Sequence, residues 1–215
     1  MTDFDGLLVF EPTVTEVNGD PVFECFNKEA LVDCGIYDDF VQENQSMSAR
    51  GVLRGLHTQC KKQYARLVRV SQGTAFDVAV DLRPHSGTYM KWFGTYLTGD
   101  NKKQVYIPKG FAHGFLALSN ETLFHYYVTE HYDSSNETGI AWNDPELAIA
   151  WPYVTGHYQG NAGVTGYHFD GTEPLLIHAH DQKNMTYREL LNRHLISGGP
   201  IEEDNPSNAC TKKVF

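Results

Sequence analysis

The chain predicts an all-β sandwich or barrel with few helices. Three observations point there: short apolar, β-rich segments from residue 66 to 129, turn residues between them, and one strong helix signal near the C-terminus. The segments are residues 67–70, 76–81, 92–97, 105–107, 115–118 and 124–129. In the second of them Phe76, Val78 and Val80 alternate with Asp77, Ala79 and Asp81, placing bulk on one face and small or acidic side chains on the other. Gln72-Gly73, Pro84-His85-Ser86-Gly87, Thr98-Gly99-Asp100-Asn101 and Ser119-Asn120-Glu121 supply the turns. Thr186-Tyr187-Arg188-Glu189 is a capping box ahead of Leu190, Leu191 and Leu195, and the helix it opens is expected on the outside of the barrel. Residues 156–171, rich in Gly, His and Tyr without periodicity, read as a long surface loop. The expected organisation is one domain, 1–196, followed by a polar tail, 197–215.

At 215 residues, 41% hydrophobic and 20% charged, the chain can bury a substantial core. Its formal charge of -10, from 17 basic and 27 acidic residues, offers no field for nucleic acid or anionic lipid. An anionic ligand must therefore be met by locally clustered arginines. Met1-Thr2-Asp3-Phe4-Asp5 lacks the basic start of a secretory signal, and no apolar run approaches the ~20 residues of a membrane span, so a cytoplasmic protein is expected. The four cysteines show neither CxxC spacing nor the density of a disulfide scaffold, and are expected to be reduced.

Two stretches carry the chemistry: Arg54-Gly55-Leu56-His57-Thr58-Gln59 and Pro108-Lys109-Gly110-Phe111-Ala112-His113-Gly114-Phe115. Each is read as a histidine on a turn beside β-rich sequence, its imidazole projecting into the barrel, which suits proton transfer. A lone histidine in such a chain is ordinarily better explained as a satisfied structural residue. Arg54, three residues earlier, together with the resemblance described below, favours function for His57, whereas His113 stays open between the two readings. Pro108-x-Gly110-x-x-His113 resembles the second motif of the cupin barrels, whose metal-binding members carry a His-x-His pair in the first. Here Thr58 and Gln59 follow His57, and two separated histidines fall short of the three or more converging ligands a first-row metal needs. No metal and no cofactor are expected.

Several blocks in order, Gln42-Glu43-Asn44, residues 51–57, residues 76–81, Asn101-Lys102-Lys103-Gln104, residues 107–115 and Ile140-Ala141-Trp142-Asn143-Asp144-Pro145, resemble the dTDP-4-dehydrorhamnose 3,5-epimerase family over about residues 20–195. The resemblance implies a cupin-like jelly-roll barrel with a few peripheral helices, a homodimer, and metal-independent inversion of C3 and C5 beside the C4 ketone of a nucleotide-linked 4-keto-6-deoxyhexose. It implies His57 as the base, Asp181 as the carboxylate holding its imidazole, and Tyr126 as the proton donor. Arg66 stands where the family often has the lysine that stabilises the enolate. Glu24, Gln42, Asn44, Arg54, His113, Tyr132 and Glu137 match substrate contacts. The chain departs from the pattern at Gly19-Asp20, where an Arg-Gly pair is usual, at His180, where a lysine often precedes the aspartate, and at Thr58, where an aromatic often follows the histidine. Open alternatives are a single-site epimerase at C3 or C5 on another nucleotide deoxysugar, a metal-dependent cupin oxygenase, and a non-catalytic sugar-binding cupin. A ketoisomerase is disfavoured because Gln59 fills the position of its second histidine.

Overall fold

The computed structural model describes residues 2–155, 168–169, 173–193 and 195–196. Its strands are β1 (Leu8–Phe10), β2 (Thr15–Val17), β3 (Asp20–Val22), β4 (Gln42–Ser48), β5 (Val52–Gln59), β6 (Arg66–Gln72), β7 (Thr74–Asp81), β8 (Trp92–Thr98), β9 (Gln104–Ile107), β10 (Phe111–Ala117), β11 (Thr122–Val128), β12 (Glu137–Gly139), β13 (Val154–Thr155), β14 (His168–Phe169), β15 (Glu173–Pro174) and β16 (Leu176–Ile177). Helix α1 (Lys28–Asp33) follows β3, and a 3-10 turn (Asp181–Lys183) precedes α2 (Tyr187–Asn192). Among the described residues no helix is long and apolar enough to cross a membrane.

Two large sheets form the body, one five-stranded in the order β1-β9-β6-β11-β4, the other six-stranded, β12-β5-β10-β7-β8 with β16 beside β5. Between them lies a core that includes Val68, Val70, Ala75, Ala79, Leu97, Val105, Ile107, Phe111, Phe115 and Phe124. The six-stranded sheet is covered on its other face as well, where Leu53, Leu56, Phe76, Val78, Val80 and Leu116 pack with Ile140, Trp142, Trp151, Tyr187 and Leu190. The alternation in β7 thus reads as expected, with one refinement. Its bulky face meets α2 and residues 140–151, while its small and acidic face looks into the barrel.

Helix α2 starts on the expected capping box: Thr186 Oγ1 accepts the Glu189 amide at 3.3 Å and Glu189 Oε2 accepts the Thr186 amide at 2.8 Å. Buried Asp144 ties the helix to the preceding segment, accepting the amides of Tyr187 at 2.6 Å and Glu146 at 2.8 Å. This clamp holds the chain between β16 and α2, including Asp181, against the outside of the barrel.

Three expectations need correction. His57 and His113 sit within β5 and β10 rather than on turns, and they pair directly across the two strands. His168–Phe169, inside the expected 156–171 loop, pairs with Val154–Thr155 and Glu173–Pro174, and the rest of that loop lies outside the described residues, as does the 197–215 tail. Cys25 and Cys34 are free, but Cys60 is disulfide-bonded, so the cysteines are not uniformly reduced.

Candidate active site

The glycine in Arg54-Gly55-Leu56-His57 explains why two polar side chains three residues apart share one face. Strict alternation would put Arg54 and His57 on opposite sides of β5. The β5–β10 register pairs His57 with His113 and Arg54 with Phe115, so two residues of β5 oppose the single Gly114. This bulge turns both side chains inward. Gly55 has φ +112°, and a Cβ there would come within 2.6 Å of the Gly114 Cα and 2.7 Å of the His113 carbonyl oxygen. Only glycine fits such a crossing. The turn after β16 grips the bulge from outside: the Gly55 amide donates to Asp181 Oδ2 at 3.0 Å, and Asn184 Nδ2 donates to the Gly55 carbonyl at 3.3 Å.

That same turn delivers the partner of His57. His57 Nε2 and Asp181 Oδ1 are 2.6 Å apart, the carboxylate being buried and the ring 29% exposed. Burial pushes the Asp181 carboxyl upward, but hydrogen bonds from His57, the Gly55 amide and His180 outweigh it and hold the group below its ordinary value. With Nε2–H donating a hydrogen bond to the Asp181 carboxylate, the lone pair of a neutral ring resides on Nδ1.

A cavity of about 230 Å³ opens in front of His57, lined by Gln42, Asn44, Arg54, Arg66, His113, Tyr126, Tyr132 and Glu137 among others. Its two walls are the two sheets. Arg54, His57, His113 and Glu137 come from the six-stranded sheet, and Gln42, Asn44, Arg66 and Tyr126 from the five-stranded one. The rings of Phe115 and Phe124 stack across the gap at 4.1 Å and 4°. Arg66 reaches over, donating through Nη2 to the His57 carbonyl at 3.4 Å with its guanidinium 4.5 Å above the Tyr64 ring. The Arg54 Nε is buried without a hydrogen-bond partner among the described residues, a donor that a bound oxyanion would satisfy. Burial and the neighbouring Tyr64 push the Tyr126 phenol above its usual value despite Arg66 and Arg54, so it stays protonated through neutral pH. His113 Nε2 bonds buried Asp77 Oδ2 at 2.7 Å while its ring lines the same cavity.

The family profile for dTDP-4-dehydrorhamnose 3,5-epimerase matches residues 1–188. The chain belongs to that family. It is 40% identical over 199 residues to the Escherichia coli K12 dTDP-4-dehydrorhamnose 3,5-epimerase, covering 91% of this chain and 97% of that one. It is 48% identical over 151 residues to the Methanothermobacter thermautotrophicus enzyme of the same name, 70% and 82% of the two chains. A Legionella pneumophila Philadelphia 1 dTDP-6-deoxy-D-glucose-3,5-epimerase, solved with dTDP-4-keto-L-rhamnose, superposes with a TM-score of 0.78 at 36% identity, covering 93% of this chain and 96% of that one. The cupin-like jelly roll expected from the 3,5-epimerase resemblance is therefore the fold observed.

Of the residues expected at a 3,5-epimerase site, Gln42, Asn44, Arg54, His57, Arg66, His113, Tyr126, Tyr132 and Glu137 converge on the cavity, with Asp181 directly behind His57. Glu24 does not join them. It lies in a separate groove beside α1, where its carboxylate accepts from Asn27 Nδ2 at 3.2 Å, because the chain after β3 runs along that helix. Tyr64 and Ser46 line the cavity but were not foreseen, since neither sits in a recognisable motif. Ligand atoms of His57, Glu137 and His180 lie within 4.8 Å of one another, brought together from distant segments, a grouping that the two histidine motifs do not announce.

Proposed function

We propose that this chain inverts C3 and C5 of a nucleotide-linked 4-keto-6-deoxyhexose, converting dTDP-4-dehydro-6-deoxy-D-glucose to dTDP-4-dehydro-L-rhamnose. One observation carries the reading: a histidine on one sheet, backed by a buried aspartate, and a high-pKa tyrosine on the other sheet face the same cavity. Inversion beside a ketone needs a base on one side of the carbon and a proton donor on the other. His57 Nδ1 takes the α-proton, and the bond electrons move onto the C4 oxygen as an enolate. Asp181 stabilises the imidazolium that results. The Tyr126 hydroxyl then returns a proton to the opposite face as the ketone re-forms, and solvent restores both groups. Arg66 is the cation for the enolate oxygen. Its charge is permanent, so it stabilises the oxyanion without exchanging a proton with it. Arg54, with its unpaired buried Nε, is the anchor for a phosphate oxygen.

Proton transfer among these groups calls for no metal or cofactor, and dialysis against a chelator is expected to leave kcat unchanged. A homodimer and a cytoplasmic setting belong to the same reading. The isolated β2–β3 hairpin exposes Val17 and Val22, with Val14 just before it, a surface better suited to a second copy than to water. Light scattering on the purified protein tests the dimer. The reaction is tested by incubating the enzyme with dTDP-4-keto-6-deoxyglucose in deuterated water and reading label by NMR. Label at both C3 and C5 is expected. Label at one carbon would make it a single-site epimerase, and none at either would overturn the reading.

A further inference from the structure

The carboxylate that orients His57 also touches a second imidazole. His180 Nδ1 lies 3.6 Å from Asp181 Oδ1, the same oxygen that meets His57 Nε2 at 2.6 Å. One buried oxygen thus faces the inner nitrogen of both rings and leaves His57 Nδ1 and His180 Nε2 as the outer ones. Such carboxylate-backed histidines are the usual supporting arrangement around a protein-bound metal. Glu137 completes the set. It pairs opposite Gln59 on β5 while Gly139, two residues on, pairs opposite His57, and its side chain lines the cavity.

Donor atoms of the three side chains lie within 4.8 Å of one another. The rings of His57 and His180 are 6.4 Å apart and inclined at 63°, splayed rather than stacked. Ligands on one ion at about 2.1 Å sit roughly 3–3.5 Å apart, so closing the triangle takes side-chain shifts of about 1 Å. His180 can supply much of that, since its side chain is 56% exposed. Two imidazoles and one carboxylate suit zinc, cobalt or nickel, whereas magnesium and calcium prefer all-oxygen shells.

We propose that His57, Glu137 and His180 form an inhibitory binding site for a divalent first-row transition ion. The bound ion takes the His57 lone pair that would abstract the substrate proton and blocks the cavity where the sugar ring would sit. The binding half of the proposal is independent of the epimerase reading, and only the inhibitory half rests on it.

Titration of the purified full-length protein with cobalt(II), followed by visible absorption, and with zinc(II), followed by calorimetry, tests the site without substrate. One ion per chain is expected, with a cobalt band intensity typical of four or five ligands. His180→Gln and Glu137→Gln should each weaken binding about 10- to 100-fold, while His85→Gln, a surface histidine between β7 and β8, should bind like the wild type. In the epimerase assay, zinc should suppress the wild-type rate and a chelator restore it. The inhibition constant of His180→Gln, measured against its own metal-free rate, should rise in step with its Kd. Equal binding by wild type and His180→Gln, or no stoichiometric binding, overturns the site. Stoichiometric binding that leaves the wild-type rate intact overturns the inhibition alone.

Discussion

Two histidines on neighbouring strands of one sheet each meet an aspartate, with nearly equal bond lengths and unequal access to the cavity. His57 meets Asp181 at 2.6 Å and His113 meets Asp77 at 2.7 Å. Asp77 sits on β7, diagonally across from His113 on the adjoining strand, so sheet geometry alone fixes that pair. Asp181 arrives from a turn outside the barrel, 124 residues along the chain from its partner. The His57 side chain is 29% exposed, that of His113 only 10%. The same chemical pair therefore serves two ends. An open ring backed by carboxylate can take up and release a proton, and a closed one is a fixed part of the wall.

Replacing each histidine sharpens that contrast most. His57→Ala should cut solvent exchange at the α-carbons by about 10²- to 10⁴-fold, the usual span for a lost general base. His113→Ala should cost only about tenfold, expressed in KM, as expected when a binding contact is lost. Equal loss of exchange in both variants, with KM unchanged, would erase the distinction between them.

The next effect is structural. In Gly55→Ala the new Cβ meets the backbone of β10, which cannot yield as a flexible side chain would. The variant should lose about 3 kcal/mol or more of stability, seen as a lower Tm, together with most activity. A wild-type melting curve would mean that the bulge tolerates a side chain.

A smaller and more selective change is expected on the opposite sheet. Tyr126→Phe should still incorporate deuterium through His57 but form about 10²-fold less C5-inverted product, the low end of the span for a lost proton donor. Because burial raises the phenol's pKa, the wild-type product ratio should stay flat between about pH 7 and pH 9. A ratio that collapses within that window would contradict a phenol held above its ordinary pKa.

The smallest effect concerns acid stability. The Asp181 carboxyl titrates below its ordinary value, so its contribution to stability is present above the unfolded pKa of about 3.9 and lost as pH falls through the folded value. Urea unfolding should therefore find Asp181→Asn less stable than wild type near pH 6, with the gap closing below about pH 4. A gap that widens in acid would reverse the assigned sign.

Legibility in the sequence followed what each strand faces. The central strands β6 to β11 could be read from apolar segments and turns because at least one face of each is packed against a core. Strand β4, Gln-Glu-Asn-Gln-Ser-Met-Ser, could not. One face presents Gln42, Asn44 and Ser46 to a polar cavity and the other is exposed, so no hydrophobic alternation marks it. His57 is legible as chemistry but its setting reads as a turn, since a glycine inside a strand carries the same sign as one that ends it. Asp181 was reached through resemblance alone, as nothing local announces a carboxylate whose partner is so remote. Ile140 to Pro145, recognised only as a matching block, proves to hold the Asp144 clamp under α2.

The bulge at Gly55 behaves like a change of reading frame. Ahead of it the inward-facing residues of β5 are even-numbered, as in Val52 and Arg54, and beyond it they are odd, beginning with His57. Leu56, between the two frames, packs outward with Ile140. Deleting Gly55 would remove no side chain, yet it would restore strict parity from Arg54 onward. Leu56, then next to Arg54, would still face outward and His57 would still face the cavity, but the Gly55 amide that donates to Asp181 Oδ2 would be gone.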